Sequence, residues 1–405
     1  MAPFGDAADP DSDRNDLPAA GDQAATGADS VDERRDESAR EYARARRRFL
    51  LADLLFTLVL LLAFLFSGAS LGLRQDLSQL TASPPVLVAL YFAVVGLAYS
   101  VVGLPLAYAS GHALTRRYGL STQTGLGWLV DWLKELPLTG VFALAVVEAM
   151  YALLRALPSL WWLATAGILL VFNVLATFVA PVLLVPLFYR LTPIEQGDVA
   201  TRLSDLARRA GAEVRGVFKM DMSRRTTAAN AALVGLGGTR RIVIGDTLLD
   251  RYTPDEIEAI FAHELGHHVH HDIGRLLASQ AALNLVGLFA VSLLLDRTAS
   301  SMGFAGLSDF AAFPLIGIGL FAFGIVTTPL SNALSRRAES EADAYALETA
   351  SVPAAFVSAM RRLANQNLAE YRPERWAEIL LYSHPAPFRR VEMGEAYQRS
   401  HGGAP

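Results

Sequence analysis

The sequence predicts a mainly α, polytopic membrane protein, with about six transmembrane helices and a small cytoplasmic α+β insert. Three observations predict it. Apolar residues fill 52% of the 405 positions and charged residues only 19%, below the roughly 25% charge of ordinary soluble chains, and the mean hydropathy is +0.32. Six apolar runs reach the roughly 20 residues that a bilayer requires. Arginines gather at alternate ends of those runs, as they do on the cytoplasmic side of membrane proteins. There is no cysteine, which excludes disulfides, iron–sulfur clusters and thiolate-bound zinc.

Residues 1–48 come first. Asp6, Asp9, Asp11, Asp13 and Asp16 open an acidic, Ala/Gly-rich stretch with few large apolar residues. Such a stretch buries too little surface to offset its ordering entropy, so disorder is expected. A basic juxtamembrane run, Arg44, Arg46, Arg47 and Arg48, follows. No cleavable signal peptide is expected, since the first apolar run starts at Phe49 and is too long for one. Residues 49–190 hold four predicted spans, at about 49–73, 85–110, 137–157 and 160–189, and residues 276–335 hold two more, at about 276–295 and 309–335. Arg44–Arg48, Arg116–Arg117, Arg190 and Arg336–Arg337 all fall on one side. Both termini are therefore expected in the cytoplasm of a multi-pass cell-membrane protein. Glu148, Asn173 and the Thr327–Asn332 segment are polar groups inside spans, which usually face a bundle interior or a wet cavity.

The insert, 191–275, reads as α+β. Thr192-Pro193 suits a helix start, with Leu203, Leu206, Ala207 and Ala210 on one face and Gly211 as the stop. AANAALVGLG and RRIVIGD flank Gly237-Gly238-Thr239 and read as a β-hairpin. The tail, 336–405, is expected to be helical and polar.

Five of the eight histidines fall in FAHELGHHVHHD, residues 261–272. Thr253-Pro254-Asp255-Glu256 is a helix start, with a capping residue, a first-turn proline and a glutamate three positions on. His263 and His267 are four apart and stack on one helical face. Two imidazoles so placed can share one zinc ion, and Glu264 beside them can reach a water near the metal instead of the metal itself. This is the H-E-x-x-H pattern. It would arise by chance in roughly one chain in a hundred of this length. His268, His270 and His271 are expected to be solvated or to support the site from behind. A catalytic zinc usually takes a third protein ligand. SRRAESEADAYA, residues 335–346, offers Glu339 and Asp343 on one helical face and Glu341 on another. Glu339 is the expected third ligand. Asp343 is expected to accept the free N–H of a ligand histidine.

At these residues the chain resembles the type I CAAX prenyl proteases, integral-membrane zinc metalloproteases. HELGH, two spans and SRRAESEADAYA carry the resemblance, together with RRYGLSTQT, PLFYRLTP, AANAALVGL, RRIVIGDTLL and YSHPAPFRRVE in the same order. It covers about residues 85–395. The resemblance implies a ring of membrane helices around a hydrophilic chamber, with one zinc per chain held by His263, His267 and Glu339. It implies Glu264 as general base and Asp343 as support for a ligand histidine. It places Asn230 and Ala231 in a substrate-binding edge strand, and His384 and Arg390, in the HPxxxxR segment, against substrate and the developing oxyanion. The implied partners are a peptide or membrane-protein substrate and the lipid bilayer, with the active site facing the cytoplasm. Eukaryotic members usually have seven spans against the six counted here. The arginine- and alanine-rich, lysine-poor composition suggests a bacterial member, for which the chemistry transfers without a prenylated substrate.

Two other readings share some of these features. HtpX-type quality-control proteases share the zinc arrangement, but on shorter chains with fewer spans. A non-enzymatic metal-binding transporter or scaffold would use the histidines without cleaving anything. No nucleic-acid partner is expected, because the basic clusters flank membrane spans.

Overall fold

The computed structural model describes residues 33–183, 185–195, 197–235, 239–350 and 353–401. The acidic segment through residue 32, and Gly237 and Gly238 of the expected turn, lie outside the described residues.

Among the described residues six helices are long and apolar enough to cross a membrane. α1 (Glu33–Phe66) begins within the charged run, not at Phe49 as expected. Its Ala-, Arg- and Glu-rich start is strongly helix-forming, so the helix enters the apolar stretch unbroken. It stops before Gly68, whose φ of 78° is a conformation glycine adopts without steric cost. The predicted first span ran on to 73; α2 (Ala69–Ser78) is instead a separate helix, with Arg74 paired to the buried Asp309. α3 (Pro84–Tyr108) opens on two prolines and continues through a π-turn at Ala109–Ala113 into α4 (Leu114–Arg117). α5 (Gly125–Ala156) starts well ahead of the predicted 137. Thr124 caps it by accepting the Gly127 N–H at 3.0 Å, and Pro137 is carried inside the helix. α6 (Trp161–Leu183) and α7 (Val185–Phe188) complete this half.

The next unit is built on a four-stranded sheet. β1 (Leu191–Ile194), β2 (Val217–Met220), β3 (Ala231–Val234) and β4 (Arg241–Gly245) lie in the order β1-β2-β4-β3. β2 and β4 are parallel, the other pairs antiparallel. The expected β3–β4 hairpin is present, pairing Ala231 with Ile244, and β3 is an edge. Thr192-Pro193 does not open a helix: it lies in β1, and α8 (Asp198–Arg209) follows. Proline's fixed φ suits an edge strand as well as a first helical turn, and β1 is the other edge. α9 (Asp246–Leu249) leads to α10 (Pro254–Val269). α11 (Asp272–Thr298) and α12 (Phe313–Thr349) are the last two spanning helices. α12 passes through position 336 without a break, so the charged segment 335–346 extends a spanning helix. α13 (Pro353–Gln366), α14 (Arg375–Leu381) and α15 (Pro387–His401) close the chain.

Beside two smaller ones, two large hydrophobic clusters among the described residues hold most of these elements. One packs Leu203 and Leu206 of α8, Ile242 and Ile244 of β4, Phe261 and Leu265 of α10, and Phe356 of α13. The other lies among the spans, around Tyr151, Trp161, Val291 and Leu295. Apolar side chains on the outer faces of the spans, such as Val59 and Val326, stay exposed, as lipid-facing residues must. The sheet unit is tied to the loop after α4, where the Thr227 N–H donates to the Leu120 carbonyl at 3.1 Å, and to α5, where Arg225 pairs with Asp131 at 2.9 Å.

α10 and α12 pack closely, backbone against backbone. Ala338, Ala342 and Ala346 make a buried stripe of small side chains at four-residue spacing on α12. Gly266 of α10 sits on it: a Cβ there would lie 2.8 Å from the Ala342 Cα and 3.1 Å from its carbonyl oxygen. That backbone cannot yield without separating the helices. We expect Gly266→Ala to cost about 1–3 kcal/mol of stability, the range for overpacking a tight core, read as a lower thermal midpoint in detergent or lipid. An unchanged midpoint would show that the crossing is looser than described.

Candidate metal centre

The α10 start is pinned on several sides. Thr253 Oγ1 accepts the Glu256 N–H at 3.3 Å, and Glu256 Oε2 accepts the Thr253 N–H at 2.8 Å. This reciprocal cap satisfies two otherwise unpaired backbone donors. Arg362 and Ser358 of α13 also donate to Glu256, at 2.8 and 2.7 Å. The phase of the helix, and so the direction of its histidines, is fixed from this end.

Three turns on, His263 and His267 stand edge to face with ring centres 4.8 Å apart. Glu339 arrives from α12. Its Oε2 lies 3.3 Å from His263 Nε2 and its Oε1 lies 3.6 Å from His267 Nε2. One ligand atom from each residue lies within 4.8 Å of the others. Glu341, two residues on from Glu339 and so on another side of the helix, points elsewhere and pairs with Arg275 and Arg337 at 2.6 and 3.0 Å.

The rear of each imidazole is held by a carboxylate. His263 Nδ1 meets Asp343 Oδ1 at 2.8 Å, and His267 Nδ1 meets Asp272 Oδ2 at 2.8 Å. A proton on each Nδ1 leaves each Nε2 lone pair aimed toward Glu339, which is the tautomer a metal ligand needs. Asp343 is fully buried and is held by Arg390 through Nε at 2.8 Å and Nη2 at 2.6 Å. Arg390 Nη2 also lies 3.3 Å from His263 Nδ1. Its guanidinium thus stands behind the His263 ring, although Arg390 also reaches the cavity wall. His384 Nε2 lies 3.2 Å from Glu339 Oε1, and its Nδ1 lies 2.9 Å from Ser383 Oγ.

These residues fit a divalent metal ion. With His263 protonated on Nδ1 only, the buried Glu339 Oε2 has no hydrogen-bond donor, a costly state for a carboxylate unless a cation faces it. Two imidazole nitrogens and one carboxylate are the donor set of a catalytic zinc site that keeps a position open.

A cavity of about 890 Å³ adjoins the cluster, and Glu264 lines it. Burial raises the Glu264 pKa above the ordinary carboxylate value. Asn230 and Ala231 line the same cavity, at the start of the edge strand β3. The structure therefore gathers His263, Glu264, His267, Glu339, His384, Arg390, Asn230 and Ala231 around one space, with Asp343 behind it.

Two residues with a place here were missed in the sequence. Asp272 closes the histidine-rich stretch itself; its spacing of five from His267 spans a helix break, where His271 has a φ of 57°, so helical periodicity gave no signal. Asn367 acts as a strand mimic: its Oδ1 accepts the Ala229 N–H at 3.0 Å and its Nδ2 donates to the Ala229 carbonyl at 3.3 Å. Nothing in the local sequence marks it.

Both the spanning helices and the unit carrying this cluster match known membrane metalloproteases. Residues 193–396 match the model of Peptidase family M48, and residues 19–190 match that of the CAAX prenyl protease N-terminal, five membrane helices. The chain belongs to peptidase family M48, with the N-terminal membrane region of the CAAX prenyl proteases. It is 30% identical over 307 residues to a Bacillus subtilis protein named uncharacterized metalloprotease YhfN, covering 75% of this chain and 72% of that one. It is 29% identical over 396 residues to CAAX prenyl protease 1 of Saccharomyces cerevisiae, covering 90% and 86%. Its fold matches the crystal structure of S. mikatae Ste24p with a TM-score of 0.82 at 23% identity, over 91% of this chain and 90% of that one. Before residue 190 the described residues contain four candidate spans, one fewer than the family description gives.

Two outcomes follow from the rear carboxylates. Asp272→Asn is expected to weaken metal retention roughly 10- to 100-fold, the usual cost of losing a ligand's supporting partner, measured by metal content after dialysis against graded chelator. Glu341→Gln should leave retention unchanged. The second outcome concerns pH. Burial pulls His263 down, but Asp343 and Glu339 outweigh it and raise its pKa to about 9. A pKa raised on folding stabilises fully below the unfolded value of roughly 6.5 and is lost as pH rises through the folded one. The raised Glu264 acts in the same direction. The thermal midpoint of metal-free protein should therefore fall between pH 6.5 and 9, and excess divalent metal should reverse the trend by displacing the proton.

Proposed function

We propose that the chain is a zinc-dependent endopeptidase that hydrolyses peptide bonds at this cluster, with one zinc held by His263, His267 and Glu339. The observation that carries this reading is the meeting of Glu339 with both histidines, one of its buried oxygens lacking any donor when His263 is protonated on Nδ1 only. When bound, zinc supplies Lewis-acid chemistry: it acidifies a water molecule and polarises the scissile carbonyl.

The residues of the chain do the rest. Glu264 is the general base. It takes the proton of the attacking water and later delivers one to the leaving amine, and its raised pKa suits both transfers. Asp343 and Asp272 hold the two imidazoles in one tautomer, and Arg390 neutralises Asp343 so that this carboxylate can stay buried. His384, exposed beside Glu339, supplies a donor for the oxyanion. Arg390 adds positive charge from behind His263.

The substrate we infer is an extended peptide or a segment of a membrane protein. β3 is an edge strand on the cavity wall, and an edge can pair with an added strand. Asn230 and Ala231, at its start, are the positions we assign to backbone contact with substrate. The yeast relative's name ties that protein to CAAX prenyl substrates; for this chain we infer the peptidase chemistry and leave the lipid group open.

The protease machinery in this reading comprises the 191–275 unit and the segment after residue 335, which brings Glu339, Asp343, His384 and Arg390. The arginines at Arg44–Arg48, Arg116–Arg117, Arg190 and Arg336–Arg337 support a cell-membrane location with this machinery and both termini in the cytoplasm.

Glu264→Gln should keep its zinc and lose cleavage of a peptide substrate by roughly 10²–10⁴-fold or more, the range for removing a general base. Chelation should abolish cleavage by the native chain, and added zinc should restore it. Cleavage at the native rate by zinc-loaded Glu264→Gln would refute the assignment.

A further inference from the structure

α14 has an apolar face that the peptidase reading leaves unused. Trp376, Ile379 and Leu380 are 50%, 45% and 41% exposed, at spacings that put them on one side of the helix. Ala377 and Glu378 face inward and are buried. The cavity wall runs from Leu381 through His384 to Pro387 but does not include the three exposed residues. They look away from the substrate space.

Their position is set by two spanning helices. Asn332 Nδ2 of α12 donates to the Leu380 carbonyl at 2.9 Å, and Arg336 donates to the carbonyls of Glu378 and Tyr382 at 2.9 and 2.6 Å. At the other end the Arg47 guanidinium of α1 lies over the Trp376 ring, 5.9 Å from its centre. Asn332 lies between the exposed Leu330 and Leu334, in the last apolar turns of α12, and Arg47 precedes the exposed Leu50 and Leu51 of α1. The α14 face is thus continuous with the apolar surface of two spans at the point where each leaves the membrane. Arg372 and Arg375 are exposed at its N-terminal end, where anionic headgroups would meet them, and tryptophan is enriched at that depth of a bilayer.

We propose that α14 lies in the interfacial layer of the bilayer, with Trp376, Ile379 and Leu380 among the lipids, and that this contact positions the turn carrying His384. The helix is a surface-lying element of the interfacial type, and the spans are what bring it there. The link to the site is short. Glu378 Oε1 accepts from Arg389 Nε at 2.9 Å and from the Ala386 N–H at 3.3 Å, which ties α14 to the far side of the His384 turn. The proposal rests on the membrane-spanning fold, and its link to His384 rests on the peptidase reading.

The native chain has no cysteine, so single cysteines can be labelled without background. An environment-sensitive fluorophore at Ile379→Cys is compared, in vesicles holding a shallow spin-labelled lipid quencher, with Val326→Cys on a spanning helix and Glu392→Cys on α15. We expect a blue shift and quenching at Ile379, as at Val326 and unlike Glu392. Quenching at Val326 with none at Ile379 overturns the proposal and leaves the spanning fold intact; no quenching at either overturns both. A shift at Ile379 that arises only on adding a lipidated peptide assigns the face to substrate and also overturns it. For the link to His384, the double variant Ile379→Ser, Leu380→Ser should keep its zinc and lose kcat several-fold in vesicles. Unchanged kcat overturns that link, while absence of cleavage by the native chain counts against the peptidase reading instead.

Discussion

The approach of α10 to α12 is the constraint on which the site depends. Gly266 has no side chain and Ala342 has almost none, so the two backbones come within a distance that no larger pair would permit. The residues of the candidate site lie immediately beside that contact: Glu264, His263 and His267 on one helix, Glu339 and Asp343 on the other. At this separation a glutamate side chain spans the gap between the helices and reaches both Nε2 atoms. A wider crossing would leave His263, His267 and Glu339 as three separate polar groups. The membrane supplies the route. α11 has 27 residues, about 40 Å at 1.5 Å per residue, and α12 makes the return journey. A round trip through the bilayer thus brings a carboxylate to histidines far earlier in the chain.

Charge is arranged around this contact in alternating layers. The histidines lie between Glu339 in front and Asp343 and Asp272 behind. Arg390 backs Asp343, and Arg275 backs Asp272 while also pairing with Glu341. A buried carboxylate is tolerated only when it is paired and hydrogen-bonded. Each arginine therefore allows an aspartate to sit where it orients a ring. Glu339 is the exception, with an oxygen that no donor satisfies when His263 is protonated on Nδ1 only, an arrangement that suits a cation there.

The walls of the cavity come from opposite ends of the chain. α1 contributes Tyr42 and Arg46, β3 contributes the sheet edge, and the segment after α14 contributes His384. Arg47 ties the first helix to the last segments by pairing with Glu370 at 2.7 Å and reaching the Tyr382 hydroxyl at 3.1 Å. Arg35 Nε adds a bond to the Asn365 carbonyl at 2.8 Å. The membrane helices are therefore part of the enclosure around the cluster as well as its anchor.

Local features of the sequence determined much of this. Six apolar runs announce six spans, because length and hydropathy alone decide what a bilayer accepts. A four-residue spacing stacks His263 on His267 and groups Glu339 with Asp343, because helical period is a property of neighbouring residues. Element boundaries were less legible. The span expected from about 137 belongs to a helix that already starts at Gly125, and Thr192-Pro193, read as a helix start, lies in a strand, because proline fixes φ without choosing between contexts that share it. Only the tertiary structure decided what meets across space: Asp272 turning back onto His267 through a left-handed residue, Asn367 pairing with Ala229 as a strand would, and Arg390 closing on Asp343. Such contacts depend on how whole helices pack and on which backbones can touch, and no short window of sequence encodes that.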